Sequence, residues 1–143
     1  MAFNNQAFNQ AYGKQGAGTA YAQQYNKNKI MTATPAELTL FLYEGAIKFC
    51  NLAVVALEQN DIIKAHTNIK KVEDIIVEFQ STLNRKYPVA EDFNKIYNYI
   101  YDLLVEANIK KDKDILEKAL AELRGMRDTW KEVMFKTKNG TEL

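Results

Sequence analysis

Between Thr34 and Glu58 apolar side chains fall on nearly every side of a predicted helix. Its start is marked: Thr34 with Glu37 three residues on matches a capping box, and Pro35 suits the first helical position. Its end is marked by Gln59-Asn60-Asp61, a polar turn. At roughly 100° per residue, Glu37, Glu44, Lys48, Asn51 and Glu58 share one narrow arc. Two apolar stripes flank it. One is Leu38, Phe41, Leu42, Gly45, Phe49, Leu52 and Ala56; the other is Leu40, Tyr43, Ile47, Cys50, Val54 and Leu57. A helix against a single core needs one stripe. The second stripe means either a central helix wrapped by its own domain or a helix that also meets a partner.

Three more helices follow. Ile62, Ala65, Ile69, Val72, Ile76, Phe79 and Leu83 keep a 3/4 spacing and predict a bundle seam over 61–86. Tyr87-Pro88 ends it, because the residue before proline avoids helical angles. A helix over 91–108 carries the seam Phe93, Ile96, Ile100, Leu103 and Ala107, with Tyr97, Tyr99, Tyr101, Leu104 and Val105 beside it. That too is more apolar surface than one seam needs, and tyrosine suits a half-wet interface. A helix over 113–135, capped by Asp112, carries Ile115, Leu116, Ala119, Leu123, Met126, Trp130 and Val133. Gly125 in its interior costs about 1 kcal/mol relative to alanine, which suggests the close approach of a neighbour. Four such helices with short turns predict an all-α fold, an antiparallel up-down four-helix bundle over 31–135. The polar tail 136–143 is expected to fray.

Residues 1–30 differ. Asn, Gln and glycine recur without an apolar period, so they predict a flexible arm, not a folding unit. Yet Phe3, Phe8, Tyr12, Tyr21 and Tyr25 dot it. Tyr21 and Tyr25 stand four apart, enough for a short helical turn with one adhesive side. The competing reading is a plain disordered tail.

Charge and chemistry narrow the function. Lys+Arg 19 against Asp+Glu 18 gives +1, with the signs interleaved, so no basic stripe argues for nucleic acid. The one cysteine, Cys50, excludes an internal disulfide; its apolar setting predicts a buried, unactivated thiol. The one histidine, His66, has Ile63 three residues before it, so the Glu-x-x-His pattern of di-iron bundles fails. No glycine-rich phosphate loop, haem motif or nucleophile constellation occurs. No catalytic residue, metal or cofactor is expected. Glu44 and Lys48 interrupt the longest apolar run, so no membrane insertion is expected. The Asn139-Gly140-Thr141 sequon has no expected role, because a single cysteine and no secretory signal point to a cytoplasmic protein.

Several short stretches then resemble one family. They are Ala20-Tyr21-Ala22-Gln23-Gln24, Met31-Thr32-Ala33-Thr34-Pro35-Ala36-Glu37-Leu38, Leu42-Tyr43-Glu44-Gly45-Ala46-Ile47, Ile96-Tyr97-Asn98-Tyr99-Ile100, Glu106-Ala107-Asn108-Ile109 with Asp112, and Trp130-Lys131. In order and spacing over about 19–133 the chain resembles the flagellin-specific export chaperones of bacterial flagella, the FliS family. The resemblance implies a cytoplasmic, non-catalytic bundle that binds the C-terminal region of unpolymerised flagellin. It implies that this chaperone prevents premature polymerisation and delivers its client to the type III export gate. It also implies that the N-terminal segment can occupy part of the client surface, with Tyr21 matching the tyrosine that does so. Three features depart from the family pattern: Gly18 stands where an apolar residue is usual, Met1 to Gln10 is an extension, and Tyr87-Pro88-Val89 replaces a glycine-containing turn.

The surplus apolar surface gains a use. Leu40, Tyr43, Ile47 and Val54, with Tyr97, Tyr101 and Leu104, are the expected client-binding residues; Tyr21 and Tyr25 are the expected plug. A monomer forming a 1:1 client complex is expected. The alternative is a homodimeric bundle adaptor that meets another protein through the same face.

Overall fold

The structure, a computed structural model, describes residues 20–138, with side chains for 24–136. It is all-helical over this range. The helices are α1 (Ala20–Met31), α2 (Pro35–Glu58), α3 (Ile62–Thr82), α4 (Val89–Lys110) and α5 (Lys113–Lys138). The last four form an antiparallel bundle. α2 packs on α3 and α5, and α4 closes the square between those two. Cross-links fix the directions. Lys113 near the start of α5 reaches Glu58 at the end of α2, while Trp130 Nε1 donates to the Ala36 carbonyl at the other end. Gln80 Nε2 donates to Asn94 and Asn98, joining the end of α3 to the start of α4.

The ends follow local chemistry. Thr34 Oγ1 accepts the Glu37 N–H at 3.2 Å and donates to Glu37 Oε1 at 3.1 Å, which satisfies one of the orphan donors of a helix start. Asp61 accepts from the Lys64 N–H and opens α3. α3 stops at Thr82, four residues before the expected end at Lys86. Its last-turn hydroxyls, Ser81 and Thr82, bond back to the Glu78 carbonyl, Leu83 turns extended, and Asn84 accepts the Lys86 N–H. Side chains that compete for backbone partners end helices in this way. α4 conversely starts at Val89, directly after Pro88. It ends at Lys110 and is capped by Lys111, whose left-handed backbone (φ 51°) lets its N–H return to the Ala107 carbonyl. Asp112 accepts from the Asp114 and Ile115 N–H groups and opens α5.

α2 is the axis of the core. Phe41, Leu42, Tyr43, Ala46, Ile47, Phe49, Cys50, Ala53, Val54 and Ala56 are all buried. By length and composition α2 could cross a membrane, but most of its surface is enclosed by the bundle. Ile69, Val72, Ile75, Ile76 and Phe79 face it from α3, Ile100 and Leu104 from α4, and Leu116 and Leu123 from α5. Two expectations change. Ile75, placed outside the α3 seam by spacing, has no exposed surface, whereas Ile62, placed in it, is half exposed at the first turn. Gly125 has no neighbour: a Cβ built there meets nothing within 4 Å, so close packing does not account for it.

In the arm, where a short helical turn was expected, the chain forms the 12-residue helix α1. Ile30 and Ala33 pack against the core cluster, while Met31 is exposed.

Candidate functional site

The functional question is what the second apolar stripe of α2 touches. It faces inward. Tyr43, Ile47 and Val54 are 3%, 7% and 8% exposed, and Tyr97 and Leu104 of α4 are 5% and 0% exposed. The structure therefore does not bring the seven expected client-binding residues onto one outer face. Five of them are core. Leu40 and Tyr101 alone among the seven keep partial exposure. The physical reason is the bundle's diagonal. Tyr43 and Tyr97 approach from opposite corners until their hydroxyls share a hydrogen bond of 2.6 Å. Phe79 packs against both rings, its centroid 4.4 Å from Tyr43 in a tilted pair and 5.3 Å from Tyr97 in a stacked one. A buried phenol needs such a partner. Burial pushes the Tyr97 phenol up to about 12, and it raises Tyr43 further still.

Cys50 is buried in the same core, its Sγ 3.8 Å from the Leu116 carbonyl oxygen, and burial pushes its thiol up to about 12. Such a thiol is not a nucleophile at neutral pH. His66 is exposed and hydrogen-bonds Asn108 at 2.8 Å. Among the described residues no three potential metal ligands gather.

The outer face of α2 is a different strip. Phe41, Gly45, Lys48, Leu52 and Val55 recur at spacings of four and three and lie within roughly 80° of one another at about 100° per residue. Leu52 and Val55 are 36% and 45% exposed, and Lys48 is exposed. Phe41, on the same arc, is buried. The arm lies against it: Lys29 Nζ sits 5.0 Å over its ring, and Ile30 is half-buried beside it. Asn26, Lys29 and Ile30 of α1 line a cleft of about 290 Å³ with Leu40, Phe41 and Glu44 of α2 and Lys131 of α5. Glu44 is held there by Arg127 at 3.7 Å and Lys131 at 3.8 Å. The cleft thus joins the apolar surface of Ile30, Leu40 and Phe41 to the charged groups of Lys29, Glu44 and Lys131.

Of the two tyrosines proposed as a plug, only Tyr25 has a described side chain. The Tyr21 side chain lies outside the described residues, and Tyr25 is 59% exposed. Reading the sequence alone misses this site because Phe41, Gly45 and Leu52 also fit the core stripe. The signal that separates them is Lys48, a charge at the centre of that spacing.

Residues 17–138 match the family described as "Flagellar protein FliS". The chain belongs to the FliS family. It is 40% identical over 110 residues to the flagellar secretion chaperone FliS of Bacillus subtilis, covering 77% of this chain and 83% of that relative. The flagellar secretion chaperones FliS of Campylobacter jejuni and Salmonella typhimurium are 29% and 26% identical. Those alignments cover 76% and 80% of this chain, and 87% of each relative. These relatives are named as chaperones. The match includes the sequence of α1 as well as the bundle, so the arm helix belongs to the family's extent.

Proposed function

We propose that this chain binds the C-terminal region of unpolymerised flagellin in the cytoplasm, keeps it from polymerising and delivers it to the flagellar export gate. The observation that carries this reading is the arm's seat. A helix of the chain's own rests on Phe41 at one end of an apolar strip that runs on, uncovered by it, to Leu52 and Val55. An amphipathic client helix reads such a strip through anchors at i, i+3/i+4 and i+7. The client pays an ordering cost on binding, which broad apolar contact offsets. Leu40 and Tyr101 offer surface in the closed bundle; Tyr43, Ile47, Val54, Tyr97 and Leu104 set the spacing of the helices that carry it. The arm, with Tyr21 and Tyr25, competes with the client and lowers its apparent affinity by the fraction of chains in which it is seated.

Titration of the purified chain with the C-terminal segment of its cognate flagellin tests this. A 1:1 complex at micromolar concentration or tighter is expected, and removal of residues 1–31 speeds its formation. Absence of binding at tens of micromolar, or a stable dimer that flagellin leaves intact, overturns it.

A further inference from the structure

Two lysines on the outer face of α2 and α3 converge on one aromatic ring. Lys48 Nζ lies 5.7 Å from the Phe49 ring centroid and Lys71 Nζ 5.0 Å from it. Phe49 itself is 4% exposed. Some other cations of the bundle have carboxylates: Lys70 has Glu73, Lys113 has Glu58 and Glu117, and Arg127 and Lys131 have Glu44. Among the described residues no carboxylate lies within ion-pairing distance of Lys48 or Lys71. The ring's negative face offers each ammonium partial compensation, but it does not cancel their mutual repulsion. Lys48 shows the consequence: partial burial, then the charge of Lys71, lowers its affinity for its proton. Two like charges held together over a low-dielectric floor make an anion site, because one anion between them relieves both.

The surroundings specify the kind of anion. Lys48 is the middle member of the outer α2 strip, with Leu52 one turn on and Val55 two turns on, both open to solvent. A small inorganic anion uses only the charges. A helix running along the strip uses charges and apolar surface together, as α1 does at Phe41. We infer that the Lys48–Lys71 pair over Phe49 is a carboxylate-reading site for an acidic side chain of a partner's amphipathic helix, whose apolar residues cover Leu52 and Val55. The natural source of that helix rests on the flagellin reading above; the site's chemistry does not. The ion pair fixes the register of the incoming helix, since a heptad-spaced apolar strip alone permits sliding by one turn.

The test uses the full chain, the Lys48→Gln/Lys71→Gln variant and two helical probes. One probe is the C-terminal segment of the cognate flagellin. The other is a designed amphipathic helix of about 18 residues, carrying one glutamate among heptad-spaced leucines, with a glutamine counterpart. The glutamate helix is expected to bind the full chain about tenfold tighter than the glutamine helix at low salt. That preference shrinks as added salt shortens the screening length, and the double variant loses it. Flagellin affinity falls by a similar factor in the variant. Equal affinity for the two designed helices, or a preference that the variant keeps, overturns the site. A preference seen with the designed pair while wild-type chain ignores flagellin supports the site and overturns the flagellin reading instead. Vesicles of phosphatidylglycerol and phosphatidylcholine complete the set: lysine-dependent vesicle binding without the glutamate preference overturns the peptide site in favour of an anionic membrane surface.

Discussion

Tyr43 and Phe41 stand two residues apart on α2 and are both buried, yet what covers them differs in kind. Tyr43 is enclosed by the bundle, packed at a tilt against Phe79 and hydrogen-bonded to Tyr97 on the diagonal helix. Phe41 points to the outside of the bundle and meets Lys29 and Ile30 of α1, a helix whose Tyr25 and Met31 remain in solvent. The first cover cannot leave without unfolding the domain. The second is expected to leave with the bundle intact. One helix thus carries both the structural axis and the contact with the arm, and the fold separates the two by face, not by segment.

The largest expected effect breaks the inner cover. Phe79→Ala removes the ring packed against both tyrosines and costs about 3–5 kcal/mol, since large-to-small changes in a packed core leave a cavity. Chemical denaturation measures it, and a loss below about 1 kcal/mol contradicts the stacked arrangement. Tyr97→Phe comes next. It strands the Tyr43 hydroxyl in the core at a cost of about 1–3 kcal/mol, whereas Tyr43→Phe combined with Tyr97→Phe is close to neutral, because no buried polar group is then left over. Additive single effects in that cycle contradict the shared hydrogen bond.

Alkaline pH probes the same core without mutation. Burial pushes Cys50 and Tyr97 up to about 12 from ordinary values of 9.0 and 10.0, and raises Tyr43 as well. Above pH 9 to 10 the unfolded chain sheds these protons while the folded chain keeps them. The folded state then binds more protons, so stability falls as pH rises, by roughly 1.4 kcal/mol per pH unit for each group ionised only when unfolded. Denaturant midpoints between pH 9 and 12 follow the decline. It is shallower when both tyrosines are phenylalanine.

The smallest expected stability effect breaks the outer cover. Burial of a phenylalanine side chain is worth roughly 1.5–3 kcal/mol, and ordering a helix of α1's length opposes it. Removing residues 1–31 therefore lowers stability by less than about 2 kcal/mol, and leaves the helical far-UV signal of the bundle in place. Loss of cooperative unfolding in that truncation contradicts the releasable cover.

Much of this was legible in the amino acids. The start of α2 follows from Thr34, Pro35 and Glu37, whose side chains and ring angles act within one turn. The seam of α5 follows from its spacing. The end of α3 was misplaced because hydroxyls at Ser81 and Thr82 continue a helix or close it with equal ease, and the spacing of Leu83 favoured continuation. The candidate site was legible only in part. Apolar excess on α2 was plain from the pattern. Its division between core and surface was not, since Leu40, Phe41, Tyr43 and Leu52 all read as apolar.

Sequence by itself determined the helices, the family and the presence of more apolar surface than a solitary helix needs. Those depend on local geometry and on residue order. Tertiary structure decided which side of α2 faces the core, because that depends on how three other helices pack around it. Packing placed Tyr43 against Tyr97 across the diagonal. It also turned Phe41 outward to the arm and left Lys48, Leu52 and Val55 on the open side beside Lys71.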